Sequence, residues 1–190
     1  MAKARADSKS RTEAGGQGPR VLINRAPVLT LWAAVVAQRL GFDRDEALTM
    51  GRVVAGLNAY AKGKSLGIFR PTPQEVQRER KRAAAGATWH VELLHRAVPV
   101  VQTADGLRAL SKDKPVSPES VQRYLESKFG AALGSVEHEF EDLARCLAPE
   151  ELASRAYELY EAFRPAVPAG TRGWGASGVL DLALVRELGR

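Results

Sequence analysis

The stretch NRAPVLTLWAAVVAQRLGF, residues 24–42, decides the fold of this chain. Only three polar residues interrupt its apolar character between Val28 and Leu40. A helix that is apolar on nearly every side is normally surrounded by other elements. We therefore expect this helix to be the central one, with Trp32 in the core. Gly41 is expected to end it, because glycine readily adopts the left-handed conformation found just after a helix.

The residues that follow predict two more helices. Asp43 and Glu46 have the spacing of a capping box, in which two side chains satisfy the first free amide groups of a helix. Apolar residues then recur at helical spacing, and Gly63 is placed to end this second helix. A further capping box at 72–75 predicts a helix over 73–85, which has few apolar residues and is expected to lie exposed.

Only one later region favours β structure. Residues typical of strands flank the turn at 104–106, which predicts a small hairpin near 98–110. Further helices are expected at 118–128, from Gly134 to about Leu147, from Pro149 to before Pro165, and around Leu180, Leu182 and Val185. We therefore expect an all-α, mainly helical fold of about six to seven helices with one possible small hairpin.

Composition divides the chain into an arm and one domain. Residues 1–20 mix Gly, Ser, Ala, Lys and Arg, which do not offset the entropy of ordering, so we expect a flexible basic arm. Residues 21–190 are expected to form a single mainly helical domain. Its expected parts are a basic part 21–96, the hairpin 97–111, an acidic helical part 117–163, and an irregular arm with a short helix over 165–190.

The charge is distributed unevenly along the chain. The formal net charge is +6 and the pI is near 9.7. Residues 1–26 have a balance of +4, residues 61–82 one of +5, and residues 117–163 one of −6. Such a polarised chain suits either a polyanion or a second copy of itself.

The sequence also indicates where the protein resides. No apolar run approaches the roughly 20 residues that span a bilayer. The first residues are charged and lack the apolar stretch of a secretory signal. We therefore expect a cytoplasmic protein without a membrane partner.

Residues capable of catalysis or metal binding are present, but none has the required spacing. Gly63-Lys64-Ser65 is similar to the end of a phosphate loop, yet Asn58 stands where that motif needs a glycine. His138 shares a helix face with Glu141 and Asp142, a pattern more typical of a solvated acidic surface than of a metal site. We therefore predict no catalytic residue, metal or cofactor. A non-enzymatic protein is favoured, and an enzyme with a dispersed site stays open.

Two single side chains have structural interpretations. The lone Cys146 lies near Leu143 and Leu147 at helical spacing, so we expect it to be a small buried side chain. Trp174, which has a glycine on either side, is expected to anchor the C-terminal segment in a groove.

The segment 62–82 gives the strongest indication of function. It joins a basic loop to the helix predicted over 73–85. The side chains expected to contact nucleic acid are Lys62, Lys64, Arg70, Gln74, Gln77, Arg78, Lys81 and Arg82. Two apolar helices, an exposed basic helix and a hairpin also follow the order of a winged helix-turn-helix, with 98–110 as the wing. We therefore expect a nucleic-acid-binding protein, with DNA preferred.

An alternative stays open. The basic residues of 62–82 are also typical of a solvated helix face that Glu75 and Glu79 partly neutralise. The chain is then a helical structural or interaction protein without catalytic activity. It would form a homodimer through helices 118–163 and the C-terminal arm. We expect self-association in any case, because the basic and acidic segments attract one another across copies.

Overall fold

The computed structural model describes residues 19–65, 67, 89–171 and 176–190. The elements, in chain order, are β1 Arg20–Ile23, α1 Arg25–Arg39, α2 Arg44–Ser65, β2 Trp89–Leu93, β3 Arg96–Thr103, β4 Gly106–Ser111, β5 Lys114–Pro115, α3 Pro118–Phe129, a short 3-10 turn Gly130–Ala132, α4 Leu133–Arg145, α5 Pro149–Phe163, β6 Gly178–Asp181 and α6 Leu182–Leu188.

The strands form two antiparallel sheets, so the all-α prediction is wrong. β2, β3, β4 and β5 pair in that order in one sheet, and β1 pairs with β6 in the other. The region 98–110, expected to be one small hairpin, is the middle of the four-stranded sheet. The fold is mixed α/β, because β1, β2, β5 and β6 add strands outside the predicted hairpin. Helix α2 packs against β3 and β4.

Helix α1 lies at the centre of the molecule, as predicted. All residues from Pro27 to Ala37 are buried, so the helix has no solvent-facing side along most of its length. Trp32 is fully buried, and its indole N–H donates to the carbonyl of Ala156 at 2.8 Å. Its ring makes edge contacts with Phe140 at 5.5 Å and Phe163 at 5.3 Å between centroids. The core therefore forms where α4 and α5 meet α1.

Helices α1 and α2 approach each other closely at Gly51. A Cβ atom on this glycine would lie 2.3 Å from the backbone oxygen of Thr30 and 3.0 Å from the backbone nitrogen of Ala34. Real Cβ atoms do not approach neighbours below 3.0 Å. The absence of a side chain at position 51 therefore sets the distance between these two helices.

The predicted capping box begins α2 and also fixes the helix to the sheet. The backbone N–H of Glu46 donates to Asp43 Oδ1 at 2.8 Å, and that of Asp43 donates to Glu46 Oε2 at 3.2 Å. The other carboxylate oxygen of Glu46 accepts the N–H of Leu107 in β4 at 2.9 Å. The same carboxylate therefore caps α2 and holds β4. The predicted end at Gly63 is wrong, because α2 continues to Ser65.

The two-stranded sheet joins the beginning and the end of the described chain. In its register Arg20 pairs with Asp181, and their side chains form an ion pair at 3.6 Å. Arg20 therefore belongs to the fold rather than to the predicted arm, whose residues 1–18 lie outside the described part. The short helix expected around Leu180 begins at Leu182 instead. The strand before it holds the buried Leu180.

The predicted helices of the acidic part are confirmed. Ser117 caps α3, and Pro118 and Pro149 occupy the first turns of α3 and α5. The prediction for Cys146 is wrong, because α4 ends at Arg145 and the thiol lies exposed just beyond it. Within the described part of the chain, none of the helices has the length and apolar character needed to cross a membrane.

Candidate functional site: a basic cleft

A cleft of about 990 Å³ opens where three helix ends meet. It lies between the start of α1, the last turns of α2 and the end of α5. Its described lining residues include Asn24, Arg25, Ala26, Leu29, Ala55, Asn58, Ala59, Ala61, Lys62, Ser65, Arg96, Tyr157, Tyr160, Glu161, Arg164, Val167, Pro168, Thr171 and Ala176. Its lining mixes cationic and other polar side chains with apolar ones, and apolar surface is the larger share.

The charges around the cleft favour an anion. Four cationic side chains line it, those of Arg25, Lys62, Arg96 and Arg164, against the single carboxylate of Glu161. Arg164 and Glu161 form an ion pair at 2.8 Å and largely neutralise each other. The ends of α2 and α5 add partial negative charge, which the cations there offset. The positive charge that remains lies on Arg25, Lys62 and Arg96, with the positive N-terminal end of α1 beside them.

A tight turn holds Arg96 in the cleft. Leu94 and His95 connect β2 to β3 in a two-residue turn and both have positive φ, at 50° and 56°. This left-handed conformation costs about 1–2 kcal/mol for each such residue. Burial of the Leu94 side chain, which is 1% exposed, helps to offset that cost. The turn places Arg96 at the first position of β3.

Arg96 is oriented but not fully satisfied. Its Nη2 donates to Asn58 Oδ1 on α2 at 2.9 Å. Its Nε is buried and has no hydrogen-bond partner within the described residues. A buried donor without a partner costs about 1–3 kcal/mol. Arg96 therefore lines the cleft and keeps one buried donor that no described residue pairs.

Two tyrosines of α5 also line the cleft. The Tyr157 hydroxyl donates to Asn58 Oδ1 at 3.5 Å, and the Tyr160 hydroxyl donates to the backbone oxygen of Arg25 at 3.4 Å. Burial raises the pKa of Tyr160 well above its ordinary value, so this hydroxyl stays protonated and remains a donor. The Tyr157 ring is half-buried and makes an edge contact with His95 at 6.1 Å.

Most of the predicted contact residues lie outside the described part of the chain. Lys62 lines the cleft, and Lys64 is exposed on the last turn of α2. The other six predicted contact residues fall within 68–88, among the residues that the structure does not describe. These are Arg70, Gln74, Gln77, Arg78, Lys81 and Arg82. The helix predicted over 73–85 and Trp174 also lie outside the described residues.

The predicted wing at 98–110 does not project as a free hairpin. Its far strand is bonded to α2, since the Leu107 N–H donates to Glu46. Arg108 is buried at 7% exposure, and its guanidinium donates to the backbone oxygens of Asp105 and Leu107. The hairpin is therefore part of the packed structure, and its arginine is engaged within the fold.

Sequence reasoning missed the residues that form the cleft. Arg25, Asn58 and Arg96 come from three separate elements, and Tyr157 and Arg164 come from a fourth, α5 with its C-terminal cap. No single local spacing therefore brings all five together. The sequence contains one helpful pattern, the helical spacing of residues 157, 160, 161 and 164, which places them on one face of α5.

Two other sequence features, a fragment similar to a phosphate loop and a histidine near carboxylates, do not form binding sites in the described structure. Gly63-Lys64-Ser65 lies within the last turn of α2, whose carbonyl end disfavours phosphate. His138 is exposed and lies 3.4 Å from Asp142 one helical turn away. Among the described residues, no group of three or more histidine, cysteine or acidic side chains is arranged to hold a metal ion.

No family model, curated protein sequence or solved structure matches this chain. The fold and the site define a mixed α/β protein with a basic cleft walled by tyrosines. Its function is therefore argued from its own residues.

Proposed function

We propose that this protein binds nucleic acid and that the basic cleft binds phosphates of its backbone. The observation that carries the proposal is the guanidinium of Arg96, which lines a cleft with excess positive charge and whose buried Nε has no partner among the residues that the structure describes. Phosphate oxygens are the usual acceptors for arginine in protein complexes with nucleic acids.

The basic segment 62–82, predicted from the sequence to bind nucleic acid, would contact further phosphates beside the cleft. Lys62 lines the cleft, and the chain continues from this end of α2 into the residues up to Arg82. The cations at 70, 78, 81 and 82 would extend the phosphate contacts begun in the cleft. DNA is the preferred nucleic acid, as the sequence suggested.

A salt titration with matched variants tests this function. Fluorescence anisotropy with labelled DNA and RNA would measure affinity at several salt concentrations. Arg96→Gln is expected to weaken binding and to flatten the plot of log affinity against log salt by roughly one unit, the effect of losing one phosphate contact. Arg155→Gln is the control, because it removes the same charge from an exposed position of α5 that is paired with Glu151.

The extended segment has its own variant. Reversing Arg78, Lys81 and Arg82 to Glu is expected to abolish DNA binding with little change in the melting temperature, as is usual for surface charges. Failure of the parent protein to bind at physiological salt would refute the proposed function. Equal salt slopes for Arg96→Gln and Arg155→Gln would show that the cleft does not contact the phosphates.

A second candidate function, self-association, has one observation in its favour. Leu22 and Val179 are register partners in the two-stranded sheet and are 73% and 39% exposed. Adjacent exposed apolar side chains of this kind are common at interfaces. Sedimentation is expected to show a homodimer that Leu22→Gln weakens. A monomer well above micromolar concentration would contradict this candidate.

A further inference from the structure

We infer that the cleft takes an unpaired nucleic-acid strand and not a duplex. This inference rests on the proposed function and names the form of nucleic acid that enters the same site. Three observations carry it: the size of the cleft, the aromatic wall, and the connection between that wall and Arg96.

The cleft is too small for a whole duplex to enter it. Its volume of about 990 Å³ lies at the upper end of the roughly 300–1,000 Å³ found for pockets that enclose single small ligands. The major groove of a DNA duplex is by itself about 12 Å wide, so the whole duplex is far too broad to enter. A few unpaired nucleotides are of suitable size.

The aromatic wall suits an unpaired base. Sites for single strands combine cations along the backbone with aromatic rings on which bases stack. The Tyr157 ring is half-buried, lines the cleft and packs against two other rings, His95 in a T-shaped contact and Tyr160 at 6.3 Å between centroids. Because its neighbours already hold the ring in place, a base that stacks on it loses little affinity to the entropy cost of ordering the side chain. A paired base does not offer its face to such a ring.

Asn58 connects the phosphate donor to the stacking ring. Its Oδ1 accepts from Arg96 at 2.9 Å and from the Tyr157 hydroxyl at 3.5 Å. The guanidinium and the phenol are therefore both held within reach of one side-chain oxygen. This places a phosphate anchor beside a base platform, the two parts needed to hold one nucleotide.

The test compares one oligonucleotide as a single strand and as a duplex, with inorganic pyrophosphate as a separate probe. The full chain is expected to bind the single strand at least about tenfold more tightly than the duplex. Tyr157→Leu is expected to weaken single-strand binding by about 5- to 150-fold, the range for loss of one base–aromatic stack. Tyr157→Phe keeps the ring and is expected to keep most of the affinity. Tyr124→Leu is the control, since this half-buried tyrosine lies outside the cleft.

Photo-cross-linking of the unmodified protein gives a readout that does not depend on folding of a variant. A strand that contains 5-iodouracil is expected to cross-link to the peptide that contains Tyr157. Cross-links confined to other peptides would overturn the inference. So would a Tyr157→Leu protein that folds and binds as tightly as Tyr124→Leu.

The outcomes separate this inference from the proposed function. If the duplex binds as tightly as the single strand while Arg96→Gln still flattens the salt dependence, the inference fails and nucleic-acid binding stands. If neither form binds at physiological salt, the function fails and the inference with it. Binding of pyrophosphate alone, with no oligonucleotide bound, would likewise overturn both.

Discussion

Substitution of Gly51 by alanine tests whether the close approach of α1 and α2 holds the fold together. The added Cβ would lie 2.3 Å from the Thr30 oxygen, which is a backbone atom and cannot rotate away. Gly56 on the same helix is a matched control, because a Cβ there meets nothing within 4 Å. Both substitutions gain about 1 kcal/mol of helix propensity. Their difference therefore isolates the steric effect.

The magnitude follows from the displacement that the new atom requires. To lengthen the contact from 2.3 Å to 3.0 Å or more, the helices must separate by at least 0.7 Å at this point. A gap of that size forfeits about a quarter to a half of the dispersion energy of each contact it opens. Overpacking of this kind costs about 1–3 kcal/mol net. Gly56→Ala is expected to stabilise by about 1 kcal/mol, which makes a difference of about 2–4 kcal/mol.

Urea unfolding followed by circular dichroism measures this difference. With a slope of about 2 kcal/mol/M, the midpoint of Gly51→Ala is expected about 1–2 M below that of Gly56→Ala. An equal or higher midpoint for Gly51→Ala would refute the argument. It would show that α1 and α2 separate at little cost and that the missing side chain at position 51 does not set their distance.

Three other perturbations have defined outcomes. Trp32→Ala is expected to cost about 3–5 kcal/mol, because it leaves a cavity in the core, and a loss below about 1 kcal/mol in urea unfolding would contradict the central position of α1. The hydrogen bond from Arg186 lowers the pKa of Glu139 from its ordinary value of 4.5. A lowered pKa stabilises the fold above that value and loses this effect as the pH falls through the folded pKa. Glu139→Gln is therefore expected to flatten the pH dependence of the free energy of unfolding below about pH 4.5, and an unchanged pH profile would exclude the pair as a cause. Deletion of residues 1–18, whose composition offers little apolar burial, is expected to leave the melting temperature nearly unchanged, and a fall of several degrees in thermal unfolding would show that they pack on the domain.

The parts of the fold that local chemistry determines were predictable. A few consecutive residues are enough to predict each of these features: the apolar run of α1, the capping box before α2, and the prolines that begin α3 and α5. The two-stranded sheet was not predictable in this way. Its strands have four residues each and lie more than 150 positions apart, so each gains stability only from a partner that local patterns do not indicate.

The candidate site was predicted only at its margin. Lys62 was predicted because it lies in a basic segment. The position of Arg96 depends on a turn that has none of the residues by which such turns are usually recognised. Hairpin turns with two positive φ angles usually contain asparagine or glycine, and here they are formed by Leu94 and His95. Asn58 and Tyr157 have ordinary helical surroundings in the sequence. Only the folded structure, in which both Arg96 and Tyr157 reach the Asn58 side chain, gives them a shared role.

The pairing of β1 with β6 has a mechanical consequence. Arg20 and Asp181 lie opposite each other at the same end of this antiparallel ladder. A pulling force applied through these two residues would load the hydrogen-bonded pairs one after another and not all at once. The sheet would then open like a zipper from the Arg20 end, at a lower force than a ladder sheared along its strands. The last pair to open would be Ile23 with Gly178, beside the start of the central helix.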